Sequence, residues 1–430
     1  MSRFPALFFT AFFLLSCSTV PLEMPLPAEI PAPAAAPAAI DRPPGAGGIA
    51  EEIRFSTETG SPSSLLNALD IIREKDLGQT EFGRVMTAVN VTLLNTLYPA
   101  VRAQLPAPDP PVTHSYSRIL SEAKRGVYTA PRRNSPDYLE HVLPFLAYYS
   151  GVFSPEQYFS ALPHLKRALE LNGESVLAPY FLGILYENTD LWEDAYTQYS
   201  LAWERYPDCY PAALGLARIM EAQGRAQESV RFLSDIALRF PGNLQVKREL
   251  AIAYYRSGDM SRAETAAAEI LQQNSQDGEF ILMSAHILAE QGNLLEAQTF
   301  LDQYAGINPT NKLYLFLRAR IQAEANLNKD AALNYLRSIL KTSPDNEEAA
   351  LYATRLLMES TRPLDQAEGR KLLAGLLSVS APSLEAVSLA LNDAIRREEW
   401  QEARIYLGRL LEERRSSGDL LAAYTVEREQ

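Results

Sequence analysis

The sequence predicts an all-α fold, a solenoid in which helix–turn–helix pairs stack side by side. Three observations predict it: small residues recur every 34 positions, a turn-forming residue stands in the middle of each period, and a proline usually stands near its end. The small residues of the repeating column are Gly183, Ala217, Ala251, Ala285 and Ala319.

Further columns fit two helices joined by a turn. Small residues let helices approach closely, and large residues fill the space beside them. Twelve residues after the first small position come Ala195, Ser229, Ala263, Ala297 and Ala331, and four later Tyr199, Leu233, Ala267, Leu301 and Tyr335. The turn column, which favours a left-handed backbone, holds Asp190, Gly224, Gly258, Gly292 and Asn326. The periods close with Pro207, Pro241, Ser275, Pro309 and, one residue late, Pro344.

The stretch from Val176 to Cys209 resembles the tetratricopeptide repeat (TPR), with its Leu-Gly, Tyr, Ala, aromatic, Ala and Pro positions. The resemblance implies a right-handed superhelical array that binds other proteins in a concave groove. We assign the array to residues 135–426, with five clear repeats at 176–345 and degenerate repeats on both sides. Degenerate ends are expected because a terminal repeat has only one neighbour. Leu420–Val426 is predicted as a capping helix.

Residues 51–134 do not follow the repeat and are predicted as an N-terminal helical segment. Helices are expected at 61–75, 79–97 and 115–126, from their apolar periodicity and start signals. The segment is either a divergent repeat pair or a helical cap packed on the array. A second class of function would place chemistry here, as an accessory to cell-wall enzymes or as such an enzyme itself.

The first residues are typical of an export signal. The apolar run Ala6–Leu15 is too short to span a bilayer and has the size of a signal-peptide core. It ends in Leu14-Leu15-Ser16-Cys17, which resembles the lipobox of bacterial lipoproteins. That resemblance implies a signal peptide at 1–16 and a lipid, such as palmitate, on Cys17. The alternative is an ordinary secretory signal with a chance cysteine.

Residues 17–50 combine the lipidated cysteine with a tether rich in proline and alanine, a composition that cannot build a core. The resemblance therefore predicts a protein of the bacterial cell envelope, lipid-anchored to a membrane and facing the periplasm. Bacterial lipoproteins built from such repeats serve in envelope assembly and in transport, so a membrane-anchored scaffold for protein–protein interactions is the predicted function.

Composition and motifs favour a binding protein over an enzyme. The net charge of −13 argues against nucleic acid as the main partner. The four histidines form no metal-ligand spacing, and three of them lie outside the clear repeats, where a place on a helix surface is the default. No nucleophile motif or catalytic pair is recognised, so we predict no catalytic residue, no metal and no cofactor. The histidines are His114, His141, His164 and His286.

The candidate binding residues lie on the first helix of each pair, which lines the groove in TPR arrays. Repeat positions 2, 5, 9, 12 and 13 share that face by helical spacing. The polar and aromatic candidates are Tyr180, Asn188, Arg218, Arg248, Tyr255, Arg256, His286 and Arg320.

The arginines predict the chemistry of the partner, because arginine binds carboxylates in a bidentate way. The pattern partly resembles the carboxylate clamp that holds the acidic C-terminus of a chaperone, although the clamp's Lys and Asn positions are not reproduced. A protein or peptide segment with acidic or C-terminal character is therefore one prediction. The alternative is that the arginines pair internally with Glu187, Glu221, Glu290 and Glu324.

Overall fold

A computed structural model describes residues 48–101, 114–151, 153–325 and 328–416. These residues form twenty α-helices and one 3-10 helix, with no β-strand in the described part, which confirms the all-α prediction. The predicted signal peptide, nearly all of the predicted tether and the predicted capping helix lie outside the described residues. The chain divides into two compact units between Ala266 and Ala267, and each is described by itself.

The first unit contains paired helices from the N-terminal segment into the third clear repeat. Its helices are α1 Ile49–Thr59, α2 Pro62–Glu74, α3 Glu81–Leu97, α4 Ser115–Lys124, α5 Tyr138–Val142, a 3-10 helix Leu143–Ser150, α6 Pro155–Leu171, α7 Leu177–Glu187, α8 Trp192–Arg205, α9 Tyr210–Ala222, α10 Ala226–Arg239, α11 Leu244–Arg256 and α12 Met260–Gln273, which crosses the boundary between the units.

Helices α1–α4 share one hydrophobic core with the first clear repeats. Ile53 and Phe181 are both fully buried in this cluster, which continues to Ala253. The backbone N–H of Val176 donates to the carbonyl of Thr59 over 3.0 Å, so α1 is bonded directly to the start of α7. The N-terminal helices are therefore packed against the helices of the first clear repeats.

Helix α1 was not predicted and begins inside the stretch assigned to the tether. The buried face of α1 includes the polar residues Ser56 and Thr57 beside Ile53. Asn90 of α3 donates from its side-chain amide to the Thr57 hydroxyl over 2.8 Å, which compensates burial of that polar group. Hydrophobic patterning alone does not report such a contact.

Residues 138–150, near the start of the assigned array, form two short helices rather than one. The Asp137 carboxylate accepts from the N–H of Leu139 and caps α5, as expected for an N-terminal aspartate. Pro144 then follows at the start of the 3-10 helix. Proline lacks the N–H that a continuing α-helix requires, so α5 ends after five residues.

The repeat spacing reappears in the helix starts of the first unit. Helices α9 and α11 begin 34 residues apart, and so do α8, α10 and α12. The turn residues Asp190, Gly224 and Gly258 have φ values of 58°, 77° and 81°, the left-handed conformation predicted for that column.

Tyr199 belongs to the repeat column of large residues. Its ring is fully buried and lies between two glycines. A methyl group at Gly183 would lie 2.5 Å from the Tyr199 ring, and one at Gly215 would lie 2.6 Å from it. Real carbon atoms do not approach so closely. Helices α7 and α9 therefore need glycine where they pack against the ring.

Two histidines correct the expectation of surface positions. His141 and His164 are 2% and 9% exposed, and their Nδ1 atoms lie 3.3 Å apart. His141 Nε2 lies 2.9 Å from the carbonyl oxygen of Ser135 and donates to it. Burial lowers the pKa of His164, and the neighbouring His141 and Arg133 lower it further. The pair is a structural contact between α5 and α6.

The second unit continues the pairs. Its helices after α12 are α13 Gly278–Glu290, α14 Leu294–Tyr304, α15 Lys312–Glu324, α16 Lys329–Thr342, α17 Glu347–Met358, α18 Pro363–Leu377, α19 Leu384–Arg396 and α20 Trp400–Ser416. Helices α13 and α15 keep the 34-residue spacing, whereas α16 begins 35 residues after α14. The added residue therefore lies between α15 and α16, which explains why Pro344 comes one residue late.

Candidate protein-binding face

The predicted groove arginines of the first unit bond to glutamates on neighbouring first helices. Arg218 of α9 donates to both carboxylate oxygens of Glu187 on α7, over 2.7 and 3.0 Å. Its other terminal nitrogen lies 3.5 Å from Glu249 on α11. One guanidinium thus links three first helices.

The ion pair between Arg218 and Glu187 is partly buried. The side chains of Arg218 and Glu187 are 25% and 19% exposed, so water screens the pair only partly. Burial alone would lower the pKa of Arg218, but the charge and hydrogen bonds of Glu187 outweigh it and raise this pKa well above its ordinary value. The Tyr199 hydroxyl also donates to Glu187, so the ion pair is bonded to the core tyrosine.

Arg256 forms the second such pair, with Glu221 of α9. Glu221 is 3% exposed and also accepts from the Ser229 hydroxyl over 2.9 Å. These are two of the internal pairings that the sequence left as an alternative to ligand binding. In the first unit, the carboxylates that Arg218 and Arg256 bind belong to this chain.

The remaining candidates of the first unit differ in accessibility. Tyr180 is 8% exposed and accepts from the Tyr149 hydroxyl over 2.8 Å, so it belongs to the core rather than to an accessible surface. Asn188 is exposed and donates to the Ile184 carbonyl over 2.7 Å. Arg248 and Tyr255 are half-buried on α11.

In the second unit, Arg320 of α15 pairs with Glu290 of α13, and its Nε lies 3.7 Å from Glu324. His286 lies one helical turn before Glu290, with 3.8 Å between its Nε2 and the carboxylate. Burial lowers the pKa of His286, which Glu290 opposes and Arg320 reinforces. The other two predicted internal partners, Glu290 and Glu324, therefore also face an arginine.

An open cleft of ≈ 250 Å³ lies beside this pair, between residues of α15, α17 and α19. We call it the 316–385 cleft. Its lining combines two aromatic rings, a leucine, two arginines and three glutamates: Phe316, Arg320, Glu324, Glu348, Leu351, Tyr352, Arg355 and Glu385.

Five of the eight cleft residues were missed from the sequence because they lie past Pro344, where the predicted repeat columns end. The residues of α15 lie at groove positions of the fifth repeat. Moving the next period one residue late, as Pro344 indicates, brings positions 2, 5 and 9 to Glu348, Leu351 and Arg355. All three line the cleft. The late position of Pro344 therefore already indicated the one-residue shift that places these residues in the cleft.

Part of the chain matches a known protein family. The model of a tetratricopeptide-repeat family matches residues 221–280 and 254–321. These ranges fall on helix pairs whose starts and left-handed turns follow the 34-residue columns. The chain contains tetratricopeptide repeats. TPR arrays are scaffolds for protein–protein contacts, and that general class of function is supported here.

A human protein matches part of the chain at low identity. Over 139 residues the chain is 29% identical to human "Protein O-mannosyl-transferase TMTC1", a match over 32% of this chain and 15% of that protein. The chain therefore spans about 15% of that relative's length.

The solved structures show the fold alone. PilF of Pseudomonas aeruginosa is 18% identical, with a TM-score of 0.44 over 52% of this chain and 99% of that one. A monomeric mutant of IFIT1 with Gppp-AAAA is 14% identical, with a TM-score of 0.50 over 85% of each chain.

Within the described residues, no three side chains of His, Cys, Asp or Glu are grouped so as to hold a metal ion. Some polar groups of the N-terminal segment bond to structural partners. Asn90, for example, donates from its side-chain amide to the Thr57 hydroxyl and to the Met86 carbonyl, both over 2.8 Å.

Proposed function

We propose that this TPR protein is a membrane-tethered scaffold of the bacterial envelope, which binds a segment of a partner protein against its first helices. The observation that carries the proposal is the 316–385 cleft, where charged and aromatic side chains remain accessible. The side chains of Glu324, Arg355 and Glu385 are 43%, 47% and 46% exposed. Exposed charges beside aromatic rings are typical of protein-recognition surfaces.

The first unit is less suited to an acidic segment. To reach Arg218 or Arg256, a partner carboxylate would have to replace Glu187 or Glu221, which form charge-assisted hydrogen bonds within the chain. An acidic or C-terminal partner stays a prediction, and it requires this exchange. If the exchange occurs, binding weakens steeply as salt screens the charges.

The membrane tether rests on the lipobox-like end of the signal sequence. Among the residues that the structure describes, no helix is long and apolar enough to cross a bilayer. The second cysteine of the chain, Cys209, is buried beneath Tyr98, and burial raises the pKa of its thiol to about 12. A thiol in that state is a poor acyl acceptor, which leaves Cys17 as the candidate.

Cys17→Ser is expected to abolish metabolic labelling with palmitate and to release the protein from the membrane fraction. Serine lacks the thiolate that accepts the lipid. Labelling and fractionation in a bacterial host measure both effects, and Cys209→Ala, which keeps the predicted acceptor, should label as wild type does. Undiminished labelling of Cys17→Ser would remove the anchor from the proposal.

The binding face is tested by photo-cross-linking in intact cells. A photoreactive phenylalanine analogue at Phe316 or Tyr352 is expected to capture the same partner band, because both positions line the cleft. The matched control is Leu295 on α14, a second helix of the same unit, whose side chain is 74% exposed. Equal capture from position 295, or no capture from 316 and 352, would contradict binding at this face.

A further inference from the structure

The 316–385 cleft holds more carboxylates than guanidinium groups. Its lining contains three glutamates and two arginines. Arg355 pairs with Glu385, and Arg320 pairs with Glu290 just outside the lining. Counting Glu290, the face carries a surplus of two negative charges, and both guanidinium groups already contact carboxylates of this chain.

Glu348 at the start of α17 has no hydrogen bond or ion pair with any described residue, although it is half-buried and lines the cleft. Burial raises the pKa of its carboxyl, Arg320 opposes that rise, and Glu290 and Glu385 add to it. A partly desolvated carboxylate without a bonded partner is stabilised by an approaching cation.

Aromatic and aliphatic side chains form the floor of the cleft. The rings of Phe316 and Tyr352 are 5.7 Å apart between centroids, and Leu351 is 8% exposed beneath the charged groups. The Tyr352 hydroxyl donates to Glu324 over 2.9 Å, so its proton is already in use. Aromatic faces attract cations and also bury the methylene stems of long side chains.

We infer that the 316–385 cleft binds a lysine or arginine side chain of an extended partner segment, with an apolar side chain beside it. The inference rests on the proposed function and specifies the chemistry of the partner. The cation would approach Glu348 and Glu324, and its stem would lie on Phe316 and Tyr352. The volume of ≈ 250 Å³ is below the roughly 300–1,000 Å³ of small-molecule pockets and suits side chains of a segment.

An acidic segment fits the same surface poorly. Its carboxylates would meet the surplus negative charge and would have to displace Glu385 from Arg355 or Glu290 from Arg320. Like charges brought together at an interface oppose binding. Charge complementarity therefore favours a cationic segment here, in contrast to the acidic partner predicted from the arginines alone.

The test uses the full chain in detergent and a phage-displayed library of random twelve-residue peptides. We expect selected peptides to be enriched in Lys and Arg next to aromatic or aliphatic residues. For a selected peptide, Glu348→Gln should weaken binding about tenfold, as loss of a charged hydrogen-bond partner does. Fluorescence anisotropy of the labelled peptide measures the change, and higher salt should also weaken binding.

The matched control is Glu347→Gln, which makes the same change of charge in the same first turn of α17 but at a residue outside the cleft lining. Its affinity should stay within about twofold of wild type, since only long-range screened charge is lost. Enrichment of Asp and Glu, or equal effects of Gln at 347 and 348, would overturn the cationic segment. If the cationic segment is wrong but the binding face is right, cross-linking from positions 316 and 352 would still succeed, and the proposed function would stand. Loss of those cross-links would instead contradict the proposed function.

Discussion

Tyr199→Ala is expected to lower the free energy of unfolding by about 3–5 kcal/mol, the range for truncating a large buried aromatic residue. The ring is fully buried and fills the space between Gly183 and Gly215. Chemical denaturation followed by circular dichroism measures the change. Tyr196→Ala on the same helix, where the side chain is half-buried, should cost clearly less.

The two glycines make this prediction specific to the contact. Gly183→Ala should destabilise the wild-type chain because its methyl group would lie 2.5 Å from the Tyr199 ring. In the Tyr199→Ala background the same methyl group finds space, so the second substitution should cost little or be favourable. If the two effects simply add, to within about 0.5 kcal/mol, the ring does not occupy the position described.

Arg218→Ala is expected to destabilise the first unit by about 3 kcal/mol, the lower end of the range for breaking a buried pair, because a quarter of the arginine side chain is exposed. The loss would leave Glu187 with the Tyr199 hydroxyl but without its cation. Adding Glu187→Gln should recover part of the stability, since the uncompensated charge is then removed. Thermal and chemical unfolding measure both variants.

An exposed pair provides the control for Arg218. Arg337 and Glu368 are 46% and 41% exposed, so Arg337→Ala should cost less than about 1 kcal/mol. The comparison also separates the two roles considered for the groove arginines. If Arg218 served only to bind a ligand, Arg218→Ala would leave the melting temperature unchanged. An unchanged melting temperature would therefore contradict a structural role for Arg218.

Much of the fold follows from the sequence because each repeat column has a local cause. Gly224 and Gly258 have the left-handed backbone that their column predicts, and Ala251 is fully buried as a close-packing position requires. Even the late Pro344 has its counterpart in the delayed start of α16. Such features depend on neighbours along the chain and are therefore visible in one sequence.

The binding face was less predictable because it depends on pairings between helices. The sequence named Arg218, Arg256 and Arg320 as ligand-binding candidates, and the structure shows glutamates of adjacent first helices bound to each. Which carboxylate faces which guanidinium depends on the rotation and offset of neighbouring helices. The buried histidine pair and the polar packing of α1 escaped for the same reason, since both consist of contacts between separate helices.

The bond between Thr59 and Val176 has a mechanical consequence for a tethered protein. A pull applied at Gly48 would act first on α1, whose last residue is bonded to the start of α7 across more than a hundred residues of sequence. Tyr98 donates to the carbonyl of Gly60 over 2.9 Å, which adds α3 to the same junction. If the proposed tether anchors the protein, tension along it would load α1, α3 and the start of α7 together, so the chain would resist unfolding from its first described helix onward.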